Sequence, residues 1–420
     1  MTATAGLDFG TSNSALSVRS GGTTRVIRIN NRESSEKTLR SVIHFDEDKS
    51  IEVGQRAVDR YVESHGMYGR FLQSIKTFLS QPSFTDTLIF GTRYSIEDLV
   101  TIILKEIKRI GEERSGVVLT DVTLGRPVEF SEDADKDALA ERRLRKAAEQ
   151  AGFGSISFEL EPIAATLAYR ATLAANEEKT VLMGDFGGGT SDFCVMRLRG
   201  GTMTAQQKRE SVLAVGGVYI GGDTFDGRIM WSKVTPTFGR DTTYRGMTGD
   251  SLPIPAHMVR SLCSWHQIPF LRERKTLQAI RDVRRTSSNP ALIDNLENLI
   301  LENKGFMIFQ AIERAKKELT TENETAIQYP DRTLTINEPV SRTEFEDMIS
   351  QDLRSIATCV DGTLTKASLT ADKIDVVLLT GGSSFIPAVQ RLFAERFGDN
   401  RVVQLDAFTS VAHGLGLSTE

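Results

Sequence analysis

Two stretches of this chain, far apart in sequence, follow nearly the same pattern, and any fold must accommodate both. One reads Asp8-Phe9-Gly10-Thr11-Ser12-Asn13-Ser14, the other Asp185-Phe186-Gly187-Gly188-Gly189-Thr190-Ser191-Asp192. Each follows a short apolar run, Ala5-Gly6-Leu7 or Val181-Leu182-Met183, and precedes an alternating one, Ala15-Leu16-Ser17-Val18 or Phe193-Cys194-Val195-Met196. The pattern predicts strand, glycine turn, strand, with an acid at the end of the first strand. Glycines let the backbone approach a ligand and aim successive N–H groups at one point, which suits a phosphate. The preceding carboxylate can hold a hydrated magnesium ion against that phosphate. Either copy alone reads equally well as a tight turn with a solvated Asp; the duplication favours two hairpins gripping a triphosphate from both sides.

A length of 420 residues gives room for two or three domains, and 40% hydrophobic with 25% charged content is ordinary for a globular chain. The net charge of −5 excludes a polyanion-binding role for the chain as a whole, so nucleic acid is not an expected partner. No run is apolar enough to span a membrane, and Met1 to Asp8 lacks the layout of a secretory leader. Cys194, Cys263 and Cys359 are widely spaced, with no CxxC pair. They read as buried apolar thiols, and a cytoplasmic location is expected.

Strands are predicted at Thr24 to Ile29, Ser41 to Phe45, Ser50 to Val53, Val118 to Leu124 and Ser155 to Leu160. Helices are predicted over Ile96 to Ile110, from a Ser131 cap to Gly152, and from Glu161-Pro162 to about Ala174. This alternation argues for an α/β architecture of two similar lobes with the ligand in the cleft between them. From Arg228 to Arg285 there are eleven Lys or Arg against four Asp or Glu, with Trp231 and Trp265. A solvated insertion over 236–290, whose tryptophans pack onto the domain, is preferred to a nucleic-acid surface there. Helical spacing returns from Ala291 to about Thr321, where Glu313 and Lys317 pair at i, i+4. Ser341-Arg342-Thr343-Glu344 is a capping box. Asp375 to Leu379 is an apolar strand ending in Thr380-Gly381-Gly382-Ser383-Ser384, a place where α/β folds bind ligands.

No GxxxxGK[ST] or GxGxxG loop follows a strand, which argues against P-loop and Rossmann sites. The ordered pieces instead resemble the nucleotide-binding domain of the heat-shock protein 70 (DnaK-like) chaperones. Besides the two hairpins they are Glu161-Pro162-Ile163-Ala164-Ala165-Thr166, Ile220-Gly221-Gly222-Asp223-Thr224-Phe225-Asp226, Glu313-Arg314-Ala315-Lys316-Lys317-Glu318-Leu319 and Leu379-Thr380-Gly381-Gly382-Ser383-Ser384-Phe385. The resemblance implies an actin-like ATPase fold, with two ribonuclease-H-like lobes around a nucleotide cleft. The lobes would be 1–174, with a subdomain inserted at about 38–115, and 175–420, with one at about 220–320 extended by the 236–290 insertion.

It also implies ATP or ADP and magnesium as ligands, and a protein partner or client. Gly10, Thr11, Ser12 and Asn13, with Gly187, Gly188, Gly189 and Thr190, would meet the phosphates. Asp8, Asp185 and Glu161 would hold the metal or its waters. Glu313 and Lys316 would meet the ribose, Lys317 the adenine face and Thr320 the base edge. Gly222, Gly381, Gly382 and Ser383 would close the pocket.

Three departures qualify the likeness. The family's catalytic lysine follows a Val-Gly step, and counting on from Val53-Gly54 puts Val58 at its position; Arg56 or Lys76 would replace it, with Lys76 the choice. Phe385 stands where the family has an arginine on the adenine, and an aromatic face can stack there without the charge. Phe408 replaces an acid, and the chain is expected to lack the peptide-binding domain, as in the short YegD-type relatives. The resulting expectation is a slow magnesium-dependent ATPase of chaperone type. A non-hydrolysing ATP sensor for a protein partner is the alternative, and a small-molecule kinase is the third reading.

Overall fold

The computed structural model describes residues 3–32, 36–64, 68–170, 172–201, 205–246, 248–406 and 409–418. They divide into two compact units: Met1–Tyr61, Gly69–Gly221 and Arg354–Glu420 form the first, and Val62–Tyr68 with Gly222–Leu353 the second.

Both repeated motifs form hairpins. Ala3–Phe9 pairs antiparallel with Asn13–Ser20, and Glu178–Phe186 with Ser191–Arg199. A third antiparallel strand joins each, Thr23–Ile27 in one and Val212–Val218 in the other. On its other side each first strand takes two parallel partners in turn. These are Leu119–Arg126 then Ser155–Leu160, and Val376–Thr380 then Val402–Gln404. Along these five strands the two sheets share strand order and strand sense; the first sheet adds Thr38–Arg40 beside Asn13–Ser20. In each, the acid-bearing strand is central and mostly buried.

Two helices, Glu161–Arg170 and Ser410–Leu417, link the sheets within the first unit. Their side chains share a core with Val181, Met183, Cys194 and Leu378 of the second sheet. The C-terminal helix also reaches the first sheet, where Ser17 donates its hydroxyl to the Ala412 carbonyl at 2.6 Å. Glycine makes this crossing possible. A Cβ at Gly414 would lie 1.6 Å from the Ala164 carbonyl oxygen, and one at Gly6 would lie 2.2 Å from the Gly416 nitrogen. Helices Ile96–Ser115 and Ala134–Gln150 complete the first sheet's core with Leu99, Val100, Ile103, Leu144 and Ala147. A capping box of Ser95 and Asp98 starts the former, and left-handed Gly116 ends it.

Three predicted boundaries shift. Asp133, not Ser131, caps the Ala134–Gln150 helix, its carboxylate accepting from the Asp135 and Lys136 amides. An ionised carboxylate is the stronger acceptor, and the Ser131 hydroxyl takes only the Asp133 amide upstream. The helix begun by Glu161 ends at Arg170. The predicted helix from Ala291 to Thr321 is two, Pro290–Leu301 and Gly305–Glu318. Asn303 turns left-handed between them (φ 56°), and the buried Lys304 ammonium pairs there with Glu302 and Asp331 at 2.7 and 2.6 Å.

The second unit holds the basic stretch, which is more ordered than its sequence suggests. It contains a hairpin of Thr243–Arg245 with Ser251–Pro253 and a helix Arg274–Thr286 lying along Pro290–Leu301. Its cations are largely engaged: Arg281 with Glu297, Arg284 with Asp294, and Arg228 with Asp352. Arg240 and Arg260 stack on Trp231, at 5.3 and 5.8 Å from the ring centre. Among the described residues no helix is long and apolar enough to cross a membrane.

The glycine crossing yields a test. Gly414→Ala should cost about 1–3 kcal/mol through overpacking. Gly362→Ala, on an exposed helix face with open space around it, should gain about 0.5–1 kcal/mol. Urea denaturation of the two variants measures both values.

Candidate functional site

Each first strand of a hairpin carries its acid to the end of a sheet. Asp8 is the penultimate residue of Ala3–Phe9 and Asp185 that of Glu178–Phe186. Glu161 opens its helix directly after strand Ser155–Leu160. It fits there because Gly125 on the neighbouring strand has no side chain: a Cβ would come 3.1 Å from the Glu161 Cγ. Lys76, on the 3-10 turn Ile75–Phe78, donates to Glu161 Oε1 at 2.7 Å, with the two side chains 10% and 12% exposed.

Asp192, the last residue of the second hairpin motif and one to which the sequence assigns no role, belongs to the same group. It lies directly across the strand pair from Asp185, 5% exposed, and accepts the Thr190 hydroxyl at 2.9 Å. In the first hairpin the residue across from Asp8 is Ala15. The signal that could have found Asp192 was this departure from an otherwise repeated pattern.

The group is defined electrostatically. Burial, then the Glu161 charge, pushes Asp8 up to about 7, against the pull of Lys76. The same order of causes pushes Asp192 up to about 7, opposed by the Thr190 hydrogen bond and Lys76. Asp185 is raised well above the carboxylate range by burial and by Glu161, Asp8 and Asp192. Desolvation works against the Lys76 ammonium, yet Glu161 and Asp8 outweigh it and raise its pKa. Fully ionised, four carboxylates against one ammonium leave the group strongly negative, an arrangement that attracts a cation.

Of Val58, Arg56 and Lys76, the chosen Lys76 is the residue paired with Glu161. Val58 is 4% exposed on helix Gln55–Glu63, on the buried side with Ala57 and Tyr61, and Arg56 is exposed. The ammonium beside the acids is that of Lys76, from a different element. Counting from Val53-Gly54 follows the chain, whereas the turn Ile75–Phe78 carries the side chain that reaches Glu161.

The glycine turns differ in why they need glycine. A Cβ on Gly10 would sit 2.1 Å from the Asn13 carbonyl oxygen, within the turn that also holds Thr11 and Ser12. Gly187 closes the second hairpin by donating its amide to the Thr190 carbonyl at 2.9 Å, and Gly189 faces open space. Gly188 is packed against Gly221. Gly381, left-handed at φ 86°, lies against the Phe186 carbonyl, where a Cβ would come within 2.1 Å. That contact joins the Gly381-Gly382-Ser383 turn to the Asp185 hairpin. Phe385 follows it, 41% exposed. Phe408 lies outside the described residues.

In the second unit, Lys316 pairs with Asp226 at 2.8 Å and donates to the Gly222 carbonyl at 3.0 Å. An ammonium has three donors, so one remains. Glu313 and Lys317 form their pair at 2.8 Å, and Thr320 donates its hydroxyl to the Lys317 carbonyl at 2.6 Å. Asp223 is pushed up to about 7 by burial and by Asp226, with Lys316 opposing. The anchoring of Lys316 by Asp226 was not legible in sequence.

Comparison with known proteins gives two findings. A family model described as "Hsp70 protein" matches residues 70–243 and 301–419. The chain is similar to "Chaperone protein DnaK" of Thermotoga petrophila, 27% identical over 423 aligned positions. That alignment covers 98% of this chain but 58% of the relative.

The raised carboxylates predict a pH dependence for the ligand-free protein. A folded-state pKa raised from about 4 to about 7 means that the native state holds protons the unfolded chain releases in between. The stability from Asp8 and Asp192 is therefore full below about pH 4 and lost as pH rises through about 7. Melting temperature should fall between about pH 5 and about pH 8, and Asp192→Asn should flatten that fall in a calorimetric pH series.

Proposed function

The chain belongs to the Hsp70 family and has its actin-like ATPase fold, and on that premise we propose that it binds ATP and ADP with magnesium and slowly hydrolyses ATP. The observation that carries the reading is the Lys76–Glu161 pair, set among Asp8, Asp185 and Asp192 at the ends of two like sheets.

The residues suit a magnesium ion. Carboxylate oxygens are the hard donors it prefers, and the raised pKa values of Asp8, Asp185 and Asp192 mark a group short of positive charge. Among the described residues no three His, Cys, Asp or Glu groups converge closely enough to ligate a bare ion. An ion there would be held through its waters by Asp8, Asp185 and Glu161. Magnesium there would supply charge neutralisation for the phosphates.

The chain's own groups do the rest. The amides of the turns at Gly10 to Asn13 and Gly187 to Thr190 would bind phosphate oxygens. Lys76, with one N–H spent on Glu161, would offer its remaining donors to charge developing on the transferred phosphoryl. Glu161 and Asp192 would orient the attacking water, and Thr190, bonded to Asp192, would meet the same phosphoryl. Within the first unit we assign Gly381, Gly382, Ser383 and Phe385 to the nucleotide. Taken by itself, the second unit carries Gly222, Glu313, Lys316, Lys317 and Thr320, the residues that the family resemblance gives to ribose and base. The matched relative is named a chaperone. The same role is proposed here, with nucleotide state controlling how a protein partner or client is held, in a cytoplasmic setting.

Lys76→Ala should lower the single-turnover hydrolysis rate by about 10²- to 10³-fold and leave ADP affinity, measured by calorimetry, within about twofold. Asp8→Asn should instead weaken the magnesium dependence of binding. Unchanged turnover in Lys76→Ala would overturn the assignment of the lysine. Val58→Lys should bring no gain in rate and should destabilise the fold, since it buries an unpaired ammonium.

A further inference from the structure

We propose that Arg143 is a positioning residue: its guanidinium fixes the turn that carries Lys76 and so sets where the Lys76 ammonium meets Glu161. The inference rests on the role assigned to Lys76 above.

Lys76 sits on a segment with little regular structure. Its only helical turn is Ile75–Phe78, entered through Ser74 in the left-handed region at φ 49° and ψ 35°. That conformation is uncommon for a non-glycine residue and holds only where the surroundings impose it. Ile75 and Leu79 anchor one side of the turn in the core. Its carbonyl end is held by a side chain distant in sequence. Arg143, on helix Ala134–Gln150 and 9% exposed, donates Nη1 to the carbonyls of Phe78, Leu79 and Gln81 at 3.3, 3.0 and 2.9 Å. Its Nη2 donates to Phe84 at 2.9 Å.

Among the described residues its hydrogen-bond partners are these carbonyls alone. A buried guanidinium without a carboxylate is costly unless its planar fork is matched by fixed acceptors, as here. Lysine has neither the plane nor the reach to gather four carbonyls at once. The first carbonyl held lies two residues beyond Lys76, so releasing the fork frees the turn while Ile75 and Leu79 keep it in the core. The ammonium would then shift from Glu161 without leaving the protein. A displacement of about 1 Å in a positioned group costs about 10²-fold in rate.

The test uses the full chain and two variants, Arg143→Met and Arg143→Lys, with two independent readouts. The first is acetylation of individual lysines by a succinimidyl ester without nucleotide, followed by mass spectrometry. Lys76 should react about tenfold faster or more in Arg143→Met, with Arg143→Lys intermediate. Lys304, buried in the second unit, should be unchanged in both. The second is single-turnover hydrolysis. The rate should fall about 10²-fold in Arg143→Met with ADP affinity retained, and adding that change to Lys76→Ala should bring no further loss.

Unchanged labelling of Lys76 overturns the inference, as does parallel exposure of Lys304 or a full additional loss of rate in the double variant. If Arg143→Met does not fold, Arg143→Lys carries the same readouts. If the wild-type protein does not turn over ATP, the proposed function fails, and the labelling result alone decides the place of Arg143.

Discussion

Like charges crowded into a low-dielectric site repel, and this chain gathers Asp8, Glu161, Asp185 and Asp192 around the single ammonium of Lys76. Without a compensating cation the group is tolerable only by holding protons, which the raised carboxylates express. Most of the first unit's architecture serves to bring these groups together. Three acids stand at or beside a glycine turn, the fourth opens a helix beneath Gly125, and the lysine arrives on a short turn held by Arg143.

The scaffold achieves this by building one sheet twice. Each copy runs antiparallel through three strands and adds two parallel ones, so each places its central strand's acid at a strand end. The two helices linking the sheets pack without side chains at the closest contacts, Gly414 on Ala164 and Gly6 on Gly416. Such close backbone approach leaves little slack, which suits a site whose electrostatics depend on fixed separations. The repeat is imperfect where it matters: Ala15 faces Asp8, whereas Asp192 faces Asp185. The second hairpin thereby gains a carboxylate and a hydroxyl, Thr190, bonded to it.

The second unit follows different rules. Its basic excess is absorbed locally by Glu297, Asp294 and Asp352 and by the face of Trp231. Surface pairs of this kind contribute little individually, so the segment's order rests more on Ile254, Met258, Leu262, Ile280 and Val283 in its interior. Residues 244–300, unmatched by the Hsp70 family model, contain most of this arrangement.

Local chemistry made much of this readable in the chain itself. Alternation and glycine spacing specified both hairpins. Capping chemistry specified the helix after Ser341, and the i, i+4 rule the Glu313–Lys317 pair. These depend on residues within a few positions of one another, where the backbone period sets the geometry. The contacts that only the tertiary structure decided share one physical reason. Lys76 reaches Glu161 across 85 positions, and Arg143 grips carbonyls more than 58 positions away; Asp226 holds Lys316 from another helix. Val58 lay nearer to the expected place along the chain, yet its helix turns it into the core. Which ammonium meets which carboxylate is settled by packing between elements, and no periodicity encodes it.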